Sequence, residues 1–301
     1  MAVGLDINNQ ISEEFSFDKE KAVATKHAQR FQWEMILIGI GQVCIWLSLW
    51  PLVMYEIIPL GLGFIIACFC ACMAYLPSHE AQHGNYSRGN PKRRWLDSFV
   101  GNFTLITLIY PYELLRVTHM KHHAYTNDEK KDPDYMTAHA TSLKEVVLLV
   151  LDGTSTDYME YKEVYANDIA FQKAFDKGIK LGLLYRFTLM ILVFLFPLQT
   201  LLLWWLPAKI GSVYTTVFFS WYPHIGTEPG RYKNTRFWQH WIPRYLNHSM
   251  QLHFIHHLHP NIGHYDEPKA IEELKPFLIA RGVPGAKEIP EKISYNPLIK
   301  I

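Results

Sequence analysis

The chain has 301 residues, 49% of them hydrophobic and 14% aromatic, and its 29 basic and 28 acidic side chains leave a formal charge of +1. That balance excludes an electrostatic case for nucleic acid, which needs concentrated Lys and Arg; the one basic run, Lys92-Arg93-Arg94, reads as a solvated loop. The four cysteines, Cys44, Cys68, Cys70 and Cys72, fall in apolar stretches as small hydrophobes, and their spacing spreads the last three around a helix instead of converging them on a metal.

Residues 1–30 mix acidic side chains with lysines and lack the apolar core of a secretory signal, so the N-terminus is expected in the cytoplasm. Met35 to Tyr55 is uncharged and long enough to cross a hydrocarbon layer of roughly 30 Å. Ile57 to Pro77 is a second such stretch, and the short connection makes the two an antiparallel hairpin. Arg88, Lys92, Arg93 and Arg94 follow the second stretch, so the positive-inside rule places His79 and His83 at a cytoplasmic mouth.

Ser98 to Pro111 is too short for a span and carries Gly101 and Pro111 as breaks, which predicts an excursion that dips in and returns. A loop, NDEKKDPDY, leads to a polar amphipathic region from Ser142 to Lys180, read as a cap on the cytoplasmic face. A second hairpin is expected from Phe187–Leu206 and Ile210–Pro223, turning at Pro207-Ala208-Lys209, with Trp204 and Trp205 at its outer end and Arg186 at an edge. Arg231, Lys233, Arg236 and Arg244 then return the chain to the cytoplasm. Pro276, Pro284, Pro290 and Pro297 rule out one long helix after Lys269 and predict a cytoplasmic tail packed near the site.

The expected fold is therefore an all-α membrane protein with about four transmembrane helices in two hairpins and a cytoplasmic helical cap. It is read as one domain over residues 1–301: an N-terminal segment to residue 32, hairpins at 33–77 and 179–223, an interfacial region at 78–178 and a cytoplasmic region at 224–301.

Three histidine clusters stand out: His79 and His83 in HEAQH, His119, His122 and His123 in HMKHH, and His253, His256 and His257 in HFIHH. Positions i, i+3 and i+4 share a helix face, so each cluster can aim its imidazoles at one point. Imidazole suits iron, zinc and copper, whereas calcium and magnesium prefer oxygen. Eight such ligands exceed what one tetrahedral ion needs, which suggests two adjacent metals. Nitrogen-held metals at a membrane mouth suggest redox chemistry on an apolar molecule, and iron is expected because zinc has no redox states.

HEAQHGNYSRGNP, HMKHHAYTNDEKKDPDY and HFIHHLHP resemble, in order and spacing, the three histidine boxes of the membrane-bound fatty acid desaturase superfamily. The resemblance implies that His79, His83, His119, His122, His123, His253, His256 and His257 ligate two irons, and that His224 in WYPH joins them. HGNYSRGNP and WYPH are also similar to segments of the carotenoid ketolase and hydroxylase branch and of bacterial enzymes that act on fatty acids, one type of which decarboxylates them to terminal alkenes. The first choice is an O2-dependent fatty acid desaturase. The alternatives are a carotenoid hydroxylase or ketolase, a fatty acid decarboxylase and, outside enzymes, a membrane metal transporter. No haem-binding HPGG segment is present, so a separate electron donor such as ferredoxin, rubredoxin or cytochrome b5 is expected. A lipid substrate, an acyl chain or a carotenoid, is expected to enter from the bilayer. Glu80, Asp128, Asp132, Asp134 and Asn247 are candidates to orient ligating imidazoles; His248, His259 and His264 flank the third cluster, and His27, His139 and His240 carry no spacing argument.

Overall fold

The computed structural model describes residues 13–237, 250–291 and 293, and among these every regular element is helical. The chain divides into two compact units, residues 32–226 and residues 1–31 with 227–301.

The larger unit begins with α2 (Trp33–Met54), preceded in the other unit by α1 (Phe17–His27). α3 (Leu60–Met73) and α4 (Tyr75–Gln82) continue one another, so the apolar helix runs over Leu60–Gln82 and carries the first histidine cluster at its end. α5 (Arg94–Thr104) and α6 (Tyr112–Tyr125) follow, then three short helices, α7 (Tyr135–Ala138), α8 (Leu143–Asp152) and α9 (Tyr158–Val164). α10 (Ile169–Leu195) opens on Asp168, whose carboxylate accepts from the Phe171 N–H at 3.0 Å and pairs with Lys121 at 2.6 Å.

Among the described residues three helices are long and apolar enough to cross a membrane: Trp33–Met54, Leu60–Gln82 and Ile169–Leu195. Their burial matches that environment. α10 leaves Leu183, Leu184, Phe187, Met190, Val193 and Phe194 exposed, an arrangement that water would penalise and lipid would not.

Three sequence expectations change here. Of the polar region expected from Ser142 to Lys180, residues 169–180 form the first turns of α10, because nothing between Ile169 and Leu195 breaks a helix. The second hairpin turns at Phe196-Pro197, not at Pro207-Ala208-Lys209: residues 197–221 form one helical stretch, in which α11 (Pro197–Thr200) and α12 (Leu206–Thr215) alternate with π turns at Leu201–Trp205 and Thr216–Trp221. Pro207 is tolerated because the π turn before it widens the helix where its ring would clash. Pro207 has no N–H to give to the Leu203 carbonyl, and the Trp46 indole donates to that oxygen at 2.6 Å. Trp204 likewise packs inward, 5.4 Å from Trp46, and donates to the Ile106 carbonyl, while Trp205 stays 44% exposed. Finally, Gly101 does not break α5. It is the place where the Tyr112 ring crosses so closely that no β-carbon fits, and the real interruption is the 3-10 turn Leu105–Leu108 with left-handed Ile109 at φ 61°.

In the smaller unit α1, α13 (His253–Leu258) and α14 (Glu267–Ala280) enclose a core of Ala24, Phe254, Ile255, Leu258, Ile271 and Leu274. α14 continues past Pro276 and ends at Ala280, and residues 294–301 lie outside the described residues.

Candidate metal centre

The end of α4 is held by side chains that reach its backbone oxygens. Tyr86 donates its hydroxyl to Pro77 O at 2.8 Å, Tyr112 to Ala81 O at 3.1 Å, and Arg116 Nε to Gln82 O at 3.1 Å. The oxygens of Ala81 and Gln82 belong to the last turn, where carbonyls have no partner within the helix. The turn that follows is fixed by buried Asp97, which accepts from the Tyr86 N–H at 3.1 Å and the Ser87 N–H at 3.2 Å. His79 and His83 thus project from a braced segment and not from a frayed end.

α6 brings the second cluster against them. The ring nitrogens of His79, His83, His119 and His123 lie within 4.8 Å of one another. His83 Nε2 and His119 Nε2 are 2.9 Å apart, and His123 Nε2 and His119 Nε2 3.2 Å. Two nitrogens bound to one ion at about 2.1 Å, with angles between octahedral and tetrahedral, stand roughly 3.0–3.4 Å apart, so the donor set has the spacing of metal ligands.

HMKHH does not aim at one point, as its spacing alone suggests. At 100° per residue His119 and His123 are 40° apart around the axis, while His122 is rotated about 100° from His123. His122 accordingly joins a second group with His224, their rings 4.8 Å apart and their ligand atoms within the same 4.8 Å. One helix serves two neighbouring groups.

Buried Asp132 orients the second group. His122 Nδ1 donates to Asp132 Oδ1 at 2.8 Å, which leaves Nε2 as the atom that could coordinate a metal. The carboxylate also accepts from the Asn127 N–H at 2.7 Å and the Asp134 N–H at 2.9 Å, and Tyr161 donates its hydroxyl to the Asp132 carbonyl at 2.5 Å. Burial disfavours charge on His122, but the carboxylates of Asp132 and Asp134 outweigh it and raise its pKa to about 9. Burial alone would push Asp132 up. The His122 charge and the N–H donors instead hold it below the usual carboxylate range.

The other candidates divide. Glu80 is buried and accepts from Asn85 at 2.9 Å, Asp128 caps the turn at Lys130 and Lys131, and Asp134 lines a cavity with His119. His139 is exposed and stacks on Tyr135, and His27 reaches Glu273 at 3.1 Å. His240, Asn247 and His248 lie outside the described residues.

In the smaller unit α13 presents the third cluster, with His253 Nε2 3.1 Å from His257 Nε2 and the His253 and His256 rings stacked at 5.2 Å. His264 sits 3.3 Å from the Glu267 carboxylate. His259, just past the cluster, is held by Glu20 of α1 at 3.0 Å. Glu20 is fully buried and also receives the Tyr232 hydroxyl at 3.0 Å and Arg281 at 3.4 Å. Burial would raise its pKa, but these three partners lower it overall. Nothing local in the sequence marks Glu20, which sits among other N-terminal charges.

The profile of the fatty acid desaturase family matches residues 55–285. Three curated relatives share shorter stretches, each an sn-1 oleoyl-lipid 12-desaturase. That of Anabaena variabilis is 27% identical over 104 residues, 35% of this chain and 28% of its own. That of Picosynechococcus sp. is 34% identical over 58 residues, 19% and 16% of the two chains, and that of Arthrospira platensis 26% over 98 residues, 33% and 25%. The chain thus aligns with under a third of the length of each of these relatives. With its histidine groups, its long apolar helices and a profile match over most of its length, the chain belongs to the fatty acid desaturase family.

Proposed function

We propose that the protein uses O2 and two electrons to introduce a double bond into a fatty acyl chain, at two irons held by His79, His83, His119, His122, His123, His224, His253, His256 and His257. The observation that carries this reading is the placement of six of these imidazoles in two neighbouring groups on α4, α6 and the turn after residue 221, at ligand spacing. The chemistry of the donor set agrees: nitrogen ligands favour a redox-active transition metal, and a bound iron pair would supply the oxidising power that amino-acid side chains lack.

The chain's own residues provide the rest. Asp132 fixes the His122 tautomer, Tyr75 and Phe219 pack on the His79 ring at 5.7 and 5.6 Å, and burial of His79, His122 and His224 keeps bulk water from the donors. In our reading the return stretch 197–221 is a fourth span, the histidines and both termini face the cytoplasm, and a separate ferredoxin, rubredoxin or cytochrome b5 delivers the electrons. The oleoyl-lipid relatives support an acyl substrate over a carotenoid.

The test is expression in a lipid-producing host, with mass spectrometry of fatty acids, volatile hydrocarbons and pigments against the His122→Ala variant. A new acyl double bond that disappears with His122, together with loss of bound iron and retained membrane location, is the expected result. Full activity in His122→Ala rejects the site; an alkene or an oxygenated pigment in place of an unsaturated acid rejects the reaction.

A further inference from the structure

The larger unit contains a cavity of about 400 Å³ that has His119 on its wall. Its inner surface is formed by buried Tyr75, Thr137, Phe219 and Ser220, and its outer part by exposed Arg186 and Trp205 with half-buried Lys209. The cavity therefore runs from the helix surface to a histidine of the metal group. Its lining is not that of a plain hydrocarbon tunnel, since Tyr110, Thr118 and Tyr158 add to the hydroxyls already named.

Arg186 and Lys209 are the only Lys, Arg, Asp or Glu residues between residues 181 and 226. They belong to the two arms of the hairpin that turns at Phe196-Pro197, ten residues before Phe196 and twelve after Pro197. At 1.5 Å per residue both stand roughly 15–18 Å from the turn, at one level, about midway through a bilayer core. Charges at such depth face cavities and pair with something. Among the described residues no carboxylate pairs with either: Lys209 reaches only the Leu151 carbonyl at 3.5 Å, and Arg186 has no ion pair. Asp134, the one carboxylate in the lining, belongs to the segment beside His122.

We propose that this cavity is an anion-headed substrate site, in which Arg186 and Lys209 receive the carboxylate or phosphate head of an amphiphile and its adjoining carbons extend toward His119. This rests on the oxidase reading and narrows its substrate class, because it puts the oxidised carbon within a cavity's length of the charged head. Arg supplies a planar fork for two oxygens and Lys a point charge, the combination that suits either head group.

The test uses the full chain in zwitterionic nanodiscs and photo-crosslinking by three probes: a diazirine-bearing dodecanoate, its methyl ester, and a phosphatidate carrying the same acyl chain. Labelled peptides are read by mass spectrometry, independently of turnover. The anionic probes are expected to label the peptides that contain Val150–Tyr158 and Leu206–Ser220, with the ester at least tenfold weaker. Whichever anion labels more strongly identifies the head as a free acid or a lipid phosphate. The double variant R186Q/K209Q is expected to lose about tenfold of this labelling, and R186K/K209R to keep most of it. Equal labelling by acid and ester, or unchanged labelling in R186Q/K209Q, overturns the proposal. His122→Ala, which stops turnover in the proposed reaction, is expected to label like the parent, so failure of the oxidase reading and failure of the anion site give different results.

Discussion

Replacing Glu20 by Gln removes the only carboxylate of a buried cluster that ties α1 to the residues just beyond the third histidine cluster. Glu20 accepts from His259 and Tyr232 at 3.0 Å each and faces Arg281 at 3.4 Å. Gln keeps the shape and one acceptor oxygen but presents an NH2 toward one of three donors. A hydrogen bond to a charged group contributes about 1.5–3 kcal/mol, and breaking a buried ion pair costs about 3–5 kcal/mol when the remaining charge is stranded. Arg281 is not stranded, because it also donates to the Phe15 carbonyl at 3.3 Å. The expected loss is therefore about 2–3 kcal/mol, which corresponds to a fall in amide hydrogen-exchange protection of roughly 30- to 160-fold in α1 and α13. Because the folded pKa of Glu20 is lowered, its contribution is fully present above the unfolded carboxyl range near 4.3 and disappears as pH falls through the lower folded value. The parent should thus approach the variant's protection only in acid. Unchanged protection in α1, or an equal loss in α2 and α10, would refute the reasoning.

Asp132→Asn should lower iron affinity about 10- to 100-fold, measured by chelator competition, because Oδ1 accepts two N–H groups and Oδ2 a third, so an amide must turn its NH2 toward at least one of these donors. In the parent, metal loading should improve from pH 7 toward pH 9, since a proton on His122 must leave before Nε2 can coordinate; loading that falls over that range contradicts the assignment. His139→Ala should leave turnover near normal, as an exposed ring stacked on Tyr135 has no part in the donor groups. Protease added outside sealed cells should leave residues 130–180 intact, and efficient cleavage there would reverse the proposed orientation.

The candidate donor residues stand out in the sequence because ligand chemistry restricts both residue type and spacing, and the three histidine clusters all carry helical spacings. Their division is not legible. HMKHH reads as one face until the 3.6-residue repeat is set against a real neighbour, when His122 turns to His224 and away from His119 and His123. The hairpin turn departs from its expected place for a similar reason. Pro207-Ala208-Lys209 has turn composition, yet a π turn and the Trp46 indole, more than 150 positions away, make a proline acceptable inside the helix. Asp132 is one of several nearby acids and only the fold selects it; Glu20 lies 239 positions from His259, beyond any local pattern.

The position of α6 decides whether both donor groups form, which gives Gly101 a role out of proportion to its size. Tyr112, the first residue of α6, crosses α5 over Gly101 and donates its hydroxyl to Ala81 O beside the first cluster. Two helical turns on, Thr118 and His119 enter the cavity wall, and Leu114 packs on Gly178 of α10. A methyl at residue 101 would meet the Tyr112 ring, which is pinned at its hydroxyl end and backed by packed helices, so the backbone of α6 must yield. Gly101→Ala should therefore cost about 1–3 kcal/mol as an overpacking change, even though alanine is the better helix former by about 1 kcal/mol. Because α6 carries candidate ligands of both groups, the same substitution should lower iron content at both together. Substitution of Gly182, which has open space around its Cβ position on α10, should do neither. A Gly101→Ala protein with full iron and parental stability would mean that α6 is not what brings the imidazoles together.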